Sequence, residues 1–167
     1  MEKILYSEKE KSIAFTGHRI IPLDRQEEVR ERLNAAVALA CKLGITRFYC
    51  GMALGFDMMA AEVVLSLKDK FFDIQLIAVV PFLGQSNRWT SSEQKCYHRI
   101  LAKVDKVVTL SESYFRGCLL RRNDYMLSHS CGVIAYFDGK PKGGTFYTFK
   151  KAERMKMDVV NIYSKRG

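Results

Sequence analysis

The residues best suited to chemistry fall into short clusters, each placed directly after an apolar run. Thr16-Gly17-His18-Arg19 joins a glycine, which lets the backbone turn tightly and present its amides, to an arginine able to meet a phosphate through two hydrogen bonds. The same four residues also read as an ordinary strand-to-loop turn. Cys50-Gly51-Met52-Ala53-Leu54-Gly55-Phe56-Asp57 stands just ahead of a helical pattern. Gly51, Ala53 and Gly55 allow a ligand to approach the backbone, and the helix start offers unpaired N–H groups and a positive dipole end. Asp57 reads either as a helix N-cap or as a carboxylate that accepts hydrogen bonds from a ribose or a base.

Three further clusters follow. Pro81-Phe82 leads into Gln85, Arg88 and Trp89, and the lone tryptophan could stack on a base or close the core beneath the loop. Arg121-Arg122-Asn123-Asp124 falls in the first two turns of a helix. Arginines there oppose the helix dipole, so they are either solvated or compensated by an anionic ligand. Asp138-Gly139-Lys140-Pro141-Lys142-Gly143-Gly144-Thr145 offers an adaptable backbone, an N-cap hydroxyl at Thr145 and positive charge. It reads as a phosphate cradle or as a flexible turn, and the G-x-x-x-x-G-K-[ST] spacing is absent. Catalytic constellations fail in turn. His18, His98 and His129 make no i, i+4 metal pair, no serine lies in a G-x-S-x-G elbow, and no catalytic residue is assigned.

What must position these clusters is an alternation of short β-rich runs with longer segments of helical period. The strand candidates are 12–16, 47–50, 74–81, 106–110, 132–137 and 159–163. Several, Leu76-Ile77-Ala78-Val79-Val80 most clearly, are apolar on both faces and predict central strands of a parallel sheet. Helices are predicted from a capping-box-like start at Asp24 and Glu27 to a stop at Gly44, from Phe56 or Asp57 to Lys70, from Ser91 to Val104, from Gly117 to about His129, and from near Thr145 with Phe149, Ala152 and Met155 on one face. The fold class is therefore α/β: a doubly wound, mostly parallel, Rossmann-like sheet of about six strands with helices on both faces, expected to form one domain over 1–167. In such sheets ligands bind at the carboxyl ends of the strands, where the clusters recur.

Composition sets the outer bounds. At 167 residues, 48% hydrophobic and 27% charged with 3 Pro, the chain is neither disordered nor low-complexity. Its longest apolar stretch, from Leu76 to Leu83, is far short of a membrane span. The five cysteines form no C-x-x-C pair and are expected to be mostly buried. Met1 to Ser12 has no apolar run of a secretory signal, and the expected location is cytoplasmic. A formal charge of +9 favours anionic partners. Residues 84–124 hold 8 Lys+Arg against 4 Asp+Glu and residues 138–167 hold 8 against 3, so the whole excess lies in the segments carrying Trp89, Arg122 and Gly143-Gly144.

Thr16-Gly17-His18-Arg19, Gly51 to Asp57, Pro81-Phe82 with Gln85 and Trp89, Arg122-Asn123, Tyr136-Phe137-Asp138-Gly139 and Gly143-Gly144-Thr145 together resemble the YpsA-like family, in order and over nearly the whole chain. That family belongs to the SLOG superfamily of Rossmann-like domains, with DNA-processing protein A and the LOG phosphoribohydrolases. The resemblance implies a nucleotide-type ligand, such as an NAD- or ADP-ribose-like molecule, at Gly51, Gly55, Asp57, Gly143, Gly144 and Thr145. The LOG motif P-G-G-x-G-T-x-x-E lacks its third glycine and its glutamate here, and Glu153 comes two turns too late, which argues for binding rather than turnover. DNA-processing relatives bind single-stranded DNA and a recombinase, so nucleic acid is a second candidate partner and N-glycosidase chemistry a third reading. A protein partner or a second copy of the chain stays open, and no metal is expected. The full set of expected ligand-binding residues is Gly17, His18, Arg19, Gly51, Gly55, Asp57, Gln85, Trp89, Arg122, Asn123, Gly143, Gly144 and Thr145.

Overall fold

The structure is a computed structural model that describes residues 7–165. Residues 1–6, half of the amino-terminal stretch read above as lacking a secretory signal, and residues 166 and 167 lie outside the described residues. Six strands form one sheet: β1 (Ser12–Gly17), β2 (Arg47–Cys50), β3 (Gln75–Val80), β4 (Lys106–Thr109), β5 (Gly132–Tyr136) and β6 (Asp158–Asn161). Their order is β4-β3-β2-β1-β5-β6, and every neighbouring pair is parallel. Five α-helices connect them: α1 (Gln26–Lys42), α2 (Phe56–Leu67), α3 (Ser91–Leu101), α4 (Cys118–Ser128) and α5 (Gly143–Arg154). This is the expected α/β, Rossmann-like arrangement.

The period-2 pattern of β3 explains why helices must cover both faces. Leu76 and Ala78 join the core shared with α1, α2 and α3, whereas Ile77 and Val79 pack with Met126 of α4. All four are fully buried. On the α1–α2 face Phe15 stacks on Phe48 at 5.8 Å and meets Phe56 edge-on at 6.2 Å. Each such buried ring contributes about 1.5–3 kcal/mol relative to exposure. Not every apolar strand is central, however. β4 and β6 are the sheet edges, and Val107 and Val160 are exposed there.

Topology follows from handedness. Right-handed crossovers carry α1, α2 and α3 over one face as the chain steps from β1 out to β4, and α4 then brings it back across the other face to β5. The winding direction therefore reverses between β1 and β5, where Gly17 pairs with Tyr136. Several local expectations differ. The residue preceding α1 is Arg25, with no side-chain cap, after a one-turn 3-10 helix over Leu23–Arg25; the capping box lies instead at Thr90 and Glu93, ahead of α3. Of the five free cysteines only Cys50 and Cys118 are buried; Cys41, Cys96 and Cys131 are half-buried. Met155 falls just past the end of α5 and is exposed, while Ala152 is buried as expected.

Candidate functional site

A cavity of about 580 Å³ opens at the carboxyl end of the sheet, above β1 and beside β5. Its volume lies within the range of small-molecule sites. The β1–α1 turn supplies Gly17, His18 and Arg19, the start of α2 supplies Asp57, α4 supplies Arg122 and Asn123, and the start of α5 supplies Gly143, Gly144 and Thr145. Four expected residues stand elsewhere. Gln85 and Trp89 line an adjoining cleft, Gly55 faces a shallow depression behind Arg19, and Gly51 lies behind the guanidinium of Arg122.

The floor of the cavity is a buried pair of opposite charges. Asp57 is 6% exposed, and its Oδ2 accepts a hydrogen bond from the Ala53 amide at 3.2 Å. Burial pushes its carboxyl up to about 6, although Arg122, the Ala53 amide and Arg19 all pull the other way. Arg122 is 4% exposed; its NH1 donates to the Gly51 carbonyl at 2.5 Å and its Nε to Asn123 Oδ1 at 2.8 Å. Burial lowers the guanidinium from its ordinary value, opposed by Asp57, but an arginine so shifted remains a cation. Its neighbour Arg121 points elsewhere, donating to the Leu110 carbonyl and lying over the Phe115 ring.

The glycines work by space more than by flexibility. A Cβ on Gly51 would stand 2.8 Å from the Arg122 guanidinium, and one on Gly17 would stand 2.4 Å from the Phe56 ring. Gly55 has φ +78°, and a Cβ there would come within 2.2 Å of the Arg19 carbonyl oxygen. Met52, between them, holds φ 60° with its side chain fully buried, a left-handed conformation that costs a non-glycine residue about 1–2 kcal/mol. The burial of its thioether chain offsets that strain.

Two capping expectations are corrected. Asp57 is not the N-cap of α2; Gly55 is, and Asp57 sits in the first turn turned toward the cavity. The first amide of α2 is also not free for a ligand, since Phe56 N–H donates to the His18 carbonyl at 3.1 Å. Thr145 is likewise inside α5 rather than capping it. That helix starts at Gly143, after Lys142, with no side-chain cap, so its first turn opens onto the cavity with Lys142 on the rim.

The β1–α1 turn is tied to β5 through His18. The Asp138 amide donates to His18 Nε2 at 3.0 Å, and Asp138 Oδ1 lies 3.2 Å from the same nitrogen. Asp138 is held below the usual carboxylate range, first by the Lys140 amide and then by His18 and Lys140. Sequence reasoning missed the segment Tyr114 to Gly117 and Leu119–Leu120, which closes the cavity between β4 and α4. Its signal is present in the sequence: Arg116-Gly117 repeats the arginine-with-glycine pattern of the other loops, although Gly117 also marks a helix start. Glu153 lies outside the cavity and pairs with Lys150 at 3.2 Å. No group of three metal-ligating side chains comes together among the described residues.

The chain is 29% identical over 167 residues to a UPF0398 protein of Macrococcus caseolyticus, covering 91% of each chain. It is 28% identical over 137 residues to a UPF0398 protein of Halalkalibacterium halodurans, covering 80% of this chain and 72% of that one. Among solved structures it superposes on DNA processing protein A from Helicobacter pylori, studied for its single-stranded DNA binding mode, with a TM-score of 0.63 at 20% identity. That match covers 89% of this chain and 63% of the other, and it shows a shared fold. The family model described as the YspA SLOG family matches residues 13–164, so the chain belongs to the YpsA family of SLOG proteins.

Proposed function

We propose that the protein binds a nucleotide or nucleotide derivative in the cavity above Asp57 and Arg122. The observation that carries this reading is the buried Asp57–Arg122 floor at the point where the winding reverses, faced by the uncapped first turn of α5. Asp57 accepts hydrogen bonds from sugar hydroxyls. The start of α5, Lys142 and Arg19 take the phosphate, because backbone amides and cations at a helix start favour an anion. Arg122, tied to Gly51 and Asn123, adds a fixed positive charge beneath the ligand. Binding rather than turnover is the favoured activity, since Glu153, the one carboxylate downstream of Gly143-Gly144-Thr145 in α5, is ion-paired outside the cavity. The five unpaired thiols fit a reducing, cytoplasmic setting.

Thermal denaturation with AMP, ADP-ribose and NAD tests the reading. A ligand at a hundred times its Kd stabilises by about 2.7 kcal/mol, and Tm then rises on the order of 5–10 °C. No shift with any of the three at millimolar concentration would remove it. A second reading, single-stranded nucleic acid, is supported by the fold shared with DNA processing protein A and by Arg19, Arg88, Arg116 and Lys142 along the rims of two joined clefts. It requires affinity for an oligonucleotide that falls steeply with salt, because phosphate contacts release counterions.

A further inference from the structure

The adjoining cleft, about 700 Å³, continues directly from the first: Arg19, Tyr114 and Leu119 line both. Its character is different. Where the first cavity has a charged floor, the second has aromatic walls at Phe82, Trp89 and Tyr114, with Arg88 on its edge. Tyr114 lies edge-on to Phe82 at 5.4 Å and remains 63% exposed, and Trp89 lies edge-on to Tyr97 at 5.2 Å.

The loop that carries Phe82 and Trp89 is braced from below. Gln94 Nε2 donates to the carbonyls of Ser86 at 3.0 Å and Asn87 at 3.1 Å, and Gln85 Nε2 donates to the Gly51 carbonyl at 3.3 Å. That carbonyl also receives Arg122, so one backbone oxygen braces the floor of the first cavity and the loop of the second. A loop already held in position loses little entropy when a ligand binds against it. The exposed Arg19 stands where the clefts meet, a cation between a polar compartment and an aromatic one.

We propose that the two clefts together take one ligand built of two nucleoside units joined through phosphate. One unit sits over Asp57 and Arg122, the linking phosphate meets Arg19, and the second base lies against Trp89 and Tyr114. The proposal rests on the nucleotide reading of the first cavity and goes beyond it in assigning the second cleft and the length of the ligand.

Trp89 is the chain's only tryptophan, so its emission reports on the second cleft directly. The full chain is titrated with AMP and with the 5′-phosphorylated dinucleotide pApA, by calorimetry and by tryptophan fluorescence. The expected result is at least tenfold tighter binding of pApA, with a change in Trp89 emission that AMP does not produce. Arg88→Ala and Trp89→Leu, each checked by thermal melting, should reduce the advantage of pApA about tenfold and leave AMP affinity unchanged. Equal affinities, with no distinct emission change, would overturn the proposal while the nucleotide reading stands; failure of both ligands to bind would overturn the two together. A twelve-residue oligoadenylate identifies the source of the two units: affinity equal to pApA assigns them to a free dinucleotide, and a further tenfold gain assigns them to a strand.

Discussion

The guanidinium of Arg122 and the carbonyl of Gly51, 71 residues apart in the chain, meet at 2.5 Å beneath the candidate site. Gly51 is compatible with this only because it lacks a side chain, since a Cβ would stand 2.8 Å from that same guanidinium. Gly51→Ala is therefore expected to displace Arg122 rather than break the fold, because the guanidinium is the far end of a flexible chain. Loss of its hydrogen bonds should cost about 1–3 kcal/mol. Calorimetry should show AMP binding at least tenfold weaker, with the circular dichroism spectrum retained.

Arg122→Lys tests the geometry of the charge rather than its sign. A lysine offers a point charge without the planar fork, so it cannot reach the Gly51 carbonyl and Asn123 Oδ1 together from this position. Stability should fall by about 1–3 kcal/mol, the cost of losing charged hydrogen bonds at a buried site, while Gln85 still donates to the Gly51 carbonyl. Denaturant unfolding measures this, and a variant as stable as the parent would contradict the bracing role.

Asp57 carries a pH signature. Its folded-state value is raised to about 6, so between about pH 4 and pH 6 the native protein holds a proton that the unfolded chain has already released. Stability contributed by this group therefore falls as pH rises through that window and is level above it. A rise from the ordinary 3.8 to about 6 corresponds to about 3 kcal/mol. Melting temperatures of the parent and of Asp57→Asn across pH 4–8 should diverge, with the asparagine variant lacking this slope.

Gly55 and Gly143 both have positive φ yet should respond differently to alanine. At Gly55 the new Cβ meets the Arg19 carbonyl oxygen at 2.2 Å, so backbone must move in addition to the strain at φ +78°. At Gly143, φ +90°, no heavy atom lies within 4 Å. The expected losses are about 2–4 kcal/mol for Gly55→Ala and about 1–2 kcal/mol for Gly143→Ala. Chemical denaturation of the two variants side by side checks the order.

Thr90 and Glu93 form a reciprocal capping box, with Glu93 N–H on Thr90 Oγ1 at 3.3 Å and Thr90 N–H on Glu93 Oε1 at 2.9 Å. Thr90→Ala should cost about 1 kcal/mol, which lowers Tm by roughly 2–4 °C. Because Trp89 precedes the cap directly, its emission should shift with the loss.

How much of this was legible beforehand depends on the range of the forces involved. Short runs apolar on both faces and 3.6-residue helical stripes are local properties, so the chain alone determined a mostly parallel sheet of about six strands, their alternation with helices, and the edge of the sheet at which the clusters of Gly17, Asp57, Arg122 and Gly143 recur. It also determined the net charge of +9, since that is a sum over residues. Only the tertiary structure decided which charges face one another. Arg121 and Arg122 are indistinguishable by type and spacing, yet helix rotation sends one to the surface and buries the other over Gly51. Asp57 and Thr145 both looked like caps, but helix starts set by the packing of Gly55 against Arg19 and by Lys142 moved each one inside its helix. Trp89 and Gln85 separated from the rest because the long loop is anchored by Gln94, a contact between residues whose types carry no pairing signal. Long-range contacts of this kind come from the summed packing of the whole chain, and no local pattern encodes them.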